Sequence, residues 1–170
     1  MDESRQPDYE RAKKNALELL EFFGVDSPPV DPAKIARTLG IVVNFAKFDQ
    51  EHDNISGFYL AKENAIYVNA NEYVPRMTFT IAHELGHQRL HKEWAESKNY
   101  KILYRDQVFK DQKDFKEREA NTFAAHLLVP KFLLDNYKKI ASISELATLF
   151  AVSEPVIRIR LRNEYSFGTE

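Results

Sequence analysis

Hydrophobic and polar positions along the chain follow two periods, and the places where one gives way to the other divide it into elements. From Pro7 to Phe23 the residues Ala12, Leu17, Leu19, Leu20, Phe22 and Phe23 are interleaved with charges, which predicts an amphipathic helix ended by Gly24. Asp26-Ser27-Pro28-Pro29 reads as a turn. Asp31 and Pro32 then cap a short helix from Ala33 to Leu39, stopped by Gly40. Strand-like runs follow at Ile41 to Phe45, Ile55 to Leu60 and Ala65 to Val68, with a polar loop from Lys47 to Asn54. Ala61-Lys62-Glu63-Asn64 between the last two suits a hairpin turn. Pro75 fits the first turn of a long helix through Phe79 to His91. A charged, irregular stretch runs on to Asp114, with a short extended piece at Ile102 to Tyr104. Phe115 to Leu128 is helical again, and Ser142 to Glu164 reads as helix, tight turn and second helix with Ser153 as N-cap.

Composition narrows the class. The chain has 170 residues, 29% charged and 44% hydrophobic, with a formal net charge of −2, as expected for one ordinary soluble domain. No basic excess announces a nucleic-acid partner. Cysteine is absent, so thiolate ligands and disulfides are excluded. With no long apolar run, and with MDESRQPDYERAKK at the N-terminus unsuited to export, the expectation is a cytoplasmic protein with no membrane association.

The chemistry is concentrated in FTIAHELGHQRLH, residues 79–91. His83 and His87 are four apart, displaced by about 40° around a helix axis, so both imidazoles can reach one atom. With Glu84 between them this is the H-E-x-x-H arrangement, in which two neutral imidazoles bind zinc and the glutamate handles a proton. Thr80, Glu84, His87 and His91 share the arc of His83, and the rest of the circumference is largely apolar. Such a helix is buried, and a buried stripe of this kind is costly unless paired or metal-bound. A third protein ligand is needed. Leu90 and Glu93 stand where the metzincin pattern requires glycine and histidine, which leaves a glutamate from another helix. In FKEREANTFAAHLL, Glu117 shares a face with Ala120, Asn121, Ala124, Leu127 and Leu128, whereas Glu119 and His126 lie opposite. Glu117 is therefore the expected ligand, Glu119 is expected in solvent and His126 on the surface or in an interface. Asn121 could hydrogen-bond a ligand imidazole, and His91 has either a supporting role or a packed one. Gly86, Ala120, Ala124 and Ala125 would let the two helices approach closely. Ser56, Gly57, Phe58 and Tyr59 are candidates for a rim strand pairing with extended substrate, or else an inner strand of the sheet.

The blocks RMTFTIAHELGHQRLH and EREANTFAAHLLVP, preceded by PPVDPAKIARTLGI and ISGFY, resemble the ImmA/IrrE family of bacterial and phage metallopeptidases, over about Ala12 to Arg162. The resemblance implies His83, His87 and Glu117 as zinc ligands and Glu84 as the catalytic residue. It also implies a cytoplasmic enzyme that cleaves a helix-turn-helix transcriptional repressor and so switches on phage, mobile-element or stress genes.

The fold expected is α+β, a zincin-like single domain with a small three-stranded sheet, two metal-binding helices and a C-terminal helical, helix-turn-helix-like pair. Residues 1–140 would form the metallopeptidase domain, with 141–170 a tail packed on it. The cofactor expected is Zn2+, with Mn2+ as the alternative. Peptide hydrolysis would use Glu84 to move the proton of the attacking water, with Tyr59 or Tyr104 to stabilise the oxyanion. Two rivals remain: a metal-containing protein that sequesters a repressor or antitoxin without cutting it, and a DNA-binding regulator acting through the C-terminal pair. Against the latter, Arg158, Arg160 and Arg162 alternate around their helix and line no single face.

Overall fold

The computed structural model describes residues 5–49, 51–52, 54–97, 103–104 and 114–165. Helix α1 (Tyr9–Phe22) starts at Asp8, whose carboxylate accepts from the Arg11 amide, and α2 (Pro32–Thr38) starts at Asp31, which accepts from Lys34 in the same way. Each cap satisfies an amide that the first helical turn leaves without a partner.

Strands β1 (Val42–Ala46), β2 (Ile55–Leu60) and β3 (Ala65–Asn69) are those the alternation predicts. Asn64, left-handed at φ 48°, closes the β2–β3 hairpin after a single 3-10 turn. Strand β3 runs parallel to β1 and antiparallel to β2, and the two-residue β4 (Leu103–Tyr104) pairs with the other side of β2. The sheet order is thus β1-β3-β2-β4. The extended piece expected at Ile102 to Tyr104 adds the fourth strand, with Ile102 itself outside the described residues.

This order corrects the reading of Ser56 to Tyr59 as an open rim. Strand β2 is an inner strand: Gly57 pairs with Val68 on one side and Leu103 on the other. Its side chains are committed too. Ser56 donates to Glu72 at 3.2 Å, Phe58 stacks on Tyr67 and Phe48, and the buried Tyr59 donates its hydroxyl to Asn64 at 2.9 Å. That bond ties Tyr59 to the hairpin turn and removes it as an oxyanion donor; the side chain of Tyr104 lies outside the described residues.

The remaining elements are α3 (Val74–Leu90), α4 (Lys92–Ala95), α5 (Phe115–Leu128), α6 (Lys131–Tyr137), α7 (Ile143–Phe150) and α8 (Glu154–Tyr165). Ser142 and Glu145 form a capping box at α7, and Ser153 precedes α8, its carbonyl accepting from Val156. Helix α3 packs against β2, β3 and α5, and α1 covers α5 from another side. Two glycines permit the closest approaches. A Cβ on Gly57 would sit 2.6 Å from both Thr80 Cγ2 and the Tyr67 carbonyl, and one on Gly86 would sit 3.0 Å from the Phe123 ring and 3.3 Å from the Ala120 backbone. The second contact brings α3 and α5 near enough for side chains from both to meet. Ala125 takes no part in it and lines a cleft between α1, α5 and α8.

Candidate metal centre

Three turns into α3, where the helix is buried on all sides, His83, Glu84 and His87 have essentially no solvent exposure. Their surroundings are apolar and aromatic. The Phe79 ring lies 6.4 Å from that of His83, and Trp94 lies 5.1 Å from that of His87. Glu117 enters from the first turn of α5, which Asp114 caps by accepting from Lys116.

These residues converge. His83 Nε2 and His87 Nε2 are 3.0 Å apart, and each is 3.2 Å from an oxygen of the Glu117 carboxylate. Among the described residues, His83, His87 and Glu117 are the group of donors that could hold a metal ion. The spacing is close to the roughly 3.3 Å that separates donors lying about 2.0–2.1 Å from a tetrahedral zinc. Two imidazoles and a carboxylate suit zinc and related transition metals better than magnesium or calcium, which prefer all-oxygen sets.

Electrostatics agree with that fit. Burial opposes a charge on Glu117, yet the His87 and His83 imidazoles hold its carboxyl well below the ordinary carboxylate range. Burial likewise opposes a charged His83, and the neighbouring Glu117 and Glu84 carboxylates outweigh it, raising its affinity for a proton. A point that attracts a proton through two carboxylates attracts a divalent cation by the same field.

The outer nitrogens are held as well. His83 Nδ1 lies 2.9 Å from Asn121 Oδ1, the contact the helical wheel suggested. His87 Nδ1 lies 3.2 Å from His91 Nδ1, and His91 Nε2 lies 2.8 Å from Glu119 Oε2. Burial, together with His87, lowers the pKa of His91 to about 4 and keeps it neutral.

Glu119 corrects the expectation of a solvated side chain: it is 1% exposed, accepting from the Asp8 amide at 2.7 Å as well as meeting His91. His126, expected on the surface or in an interface, sits largely buried where α5 meets α8, with Nε2 3.2 Å from Arg160 and Nδ1 3.7 Å from Glu164. The error over Glu119 has a physical cause. A helical wheel assumes one buried face, and α5 is enclosed by α3, α1 and α8. Trp94, Asp8 and Arg11 also border the centre without having been singled out, and only the position of Trp94, three residues after His91, hints at it in the sequence.

Comparison with known proteins bears on the same residues. The chain is 36% identical over 89 residues to an uncharacterized immunity region protein of Bacillus phage phi105, covering 51% of this chain and 52% of that protein. It is 30% identical over 121 residues to metallopeptidase ImmA of Bacillus subtilis, covering 69% of this chain and 64% of ImmA. It thus spans between half and two thirds of the length of these relatives. A Mycobacterium tuberculosis transcriptional regulator shares the fold, with a TM-score of 0.63 over 90% of this chain and 46% of that one, at 18% identity. The peptidase M78 model, described as the IrrE N-terminal-like domain, matches residues 36–162 and so takes in α3, α5, α7 and most of α8. The chain belongs to this IrrE N-terminal-like family of metallopeptidases.

Proposed function

We propose that the protein is a zinc-dependent endopeptidase of the H-E-x-x-H plus glutamate type, acting in the cytoplasm on a helix-turn-helix transcriptional repressor. The observation that carries the chemistry is the triangle of His83, His87 and Glu117 donors, 3.0–3.2 Å on a side, with Glu84 on the same buried arc. Zinc, or manganese, held by these three would lower the pKa of a water towards ~7 and polarise a peptide carbonyl. Glu84 then acts as general base towards the attacking water and returns the proton to the departing amine. Asn121 keeps the proton of His83 on Nδ1, leaving Nε2 free to donate its lone pair.

The repressor substrate is the reading that the family resemblance supports, and it is in keeping with two relatives, one named a metallopeptidase and one from a phage immunity region. The cytoplasmic setting is consistent with the lack, among the described residues, of any helix long and apolar enough to cross a membrane. The sequestering reading needs a fourth side chain to close the metal site. His91 was its candidate, and its two ring nitrogens face His87 Nδ1 and Glu119. The DNA-binding reading loses Arg160, which is buried and paired with Glu164 at 2.8 Å, and Arg158 pairs with Glu154. Arg160 also donates to the Val129 carbonyl at 2.9 Å, a contact that supports reading the chain from residue 141 onward as a tail packed on the catalytic domain.

The test is to incubate the zinc-loaded protein with the helix-turn-helix repressor encoded beside it, with and without chelator, and to read products by intact mass. A chelator-sensitive cut that Glu84→Gln fails to make supports the proposal. A stable complex with no cut favours sequestration.

A further inference from the structure

We propose that His91 and Glu119 are positioning residues for His87, forming a carboxylate–imidazole–imidazole relay that fixes which nitrogen of His87 faces the metal and ties the opposite nitrogen of the ring to the start of α1. The inference rests on the peptidase reading only in taking His83, His87 and Glu117 as ligands.

Proton counting carries it. A carboxylate can only accept, so the 2.8 Å contact between His91 Nε2 and Glu119 Oε2 places the ring proton of a neutral His91 on Nε2. His91 Nδ1 is then bare and accepts. The 3.2 Å contact between the two Nδ1 atoms therefore requires His87 to donate from Nδ1. A neutral His87 with its proton on Nδ1 has its lone pair on Nε2, the atom 3.2 Å from Glu117 and 3.0 Å from His83. Each proton fixes the next, from the carboxylate to the ligand atom.

The relay is anchored at its far end. Glu119 Oε1 accepts from the Asp8 amide at 2.7 Å, and the Arg11 guanidinium lies 3.9 Å from Oε2. Arg11 also donates to the Leu90 carbonyl at 2.7 Å, one residue before His91. The beginning of α1 thus holds Glu119 directly and the backbone just before His91. His83 is held differently, by the neutral amide of Asn121. The two ligand imidazoles are thus backed by different groups, His87 by a carboxylate through His91 and His83 by a side-chain amide.

The experiment uses the intact chain in four forms: wild type, Glu119→Gln, His91→Leu and His83→Ala. Zinc affinity is read by competition with a chromophoric chelator, and the tautomer of His87 by long-range proton–nitrogen NMR of its ring. Wild type should bind one zinc and show His87 protonated on Nδ1. Glu119→Gln and His91→Leu should each weaken zinc binding roughly 10- to 100-fold and leave His87 in a mixture of tautomers. A merely structural role would not change the tautomer, and if one variant fails to fold the other decides. Affinity within twofold of wild type with the Nδ1 proton unchanged would overturn the relay and leave the ligand assignment standing. A wild type that binds no more zinc than His83→Ala would overturn both.

Discussion

Glu84, Glu117 and Glu119 are three carboxylates within one small region, and each has different surroundings. Glu84 lies on the ligand arc without belonging to the donor triangle, so Glu84→Gln should bind zinc like wild type while turnover falls roughly 10²- to 10⁴-fold, the usual scale for general acid–base catalysis. Metal content and single-turnover cleavage, measured on the same preparation, check both halves. Unchanged cleavage would remove Glu84 from the mechanism. The positions of His83, His87 and Glu117 were legible because burying such groups is costly and a period of 3.6 residues locates them. Glu119 was not legible. Its burial depends on the Asp8 amide, which no pattern within α5 could announce.

At the scale of elements, the site depends on how closely β2, α3 and α5 approach one another. Gly86→Ala adds a methyl 3.0 Å from a fully buried ring and 3.3 Å from helix backbone, neither of which can retreat easily. Overpacking of about 1–3 kcal/mol against a gain in helix propensity of up to about 1 kcal/mol gives a net loss of roughly 1–2 kcal/mol. Gly57→Ala should cost more, about 3 kcal/mol, because one of its 2.6 Å contacts is the Tyr67 carbonyl. Urea unfolding of both variants tests this ranking, and a Gly57→Ala protein as stable as wild type would refute the close approach. Alternation identified the three main strands, but strand order depends on pairings over long separations. That is why β2 could be read equally as a rim or an inner strand, until β4 appeared on its far side.

For the molecule as a whole, α5 is the hub: α3 lies against it with the donor triangle between, α1 meets Glu119, and α8 meets His126. The last contact makes stability depend on pH. Burial, with Arg160 and Lys13 nearby, lowers the pKa of His126 from 6.5 to about 4 despite Glu164. Between those values the unfolded chain binds a proton that the folded chain refuses, so stability falls as pH drops from 6.5 to 4. The contribution is on the order of 3 kcal/mol. His126→Gln should flatten this part of a stability–pH curve measured by denaturant melts, and an unchanged curve would show that His126 does not contribute. The sequence suggested the C-terminal helical pair, but not that Arg160 spends its charge inside the protein, since alternating arginines look alike until one of them meets the Val129 carbonyl. The contacts from Glu117 to His87, His87 to His91 and His91 to Glu119, with the short stretch of α5 backbone that joins the two glutamates, form a closed circuit between α3 and α5. A circuit broken at one link still joins its two ends by the other route. Loss of a single member therefore blunts the aim of the donors before it separates the helices, and a cell could carry such variants as folded, metal-poor proteins.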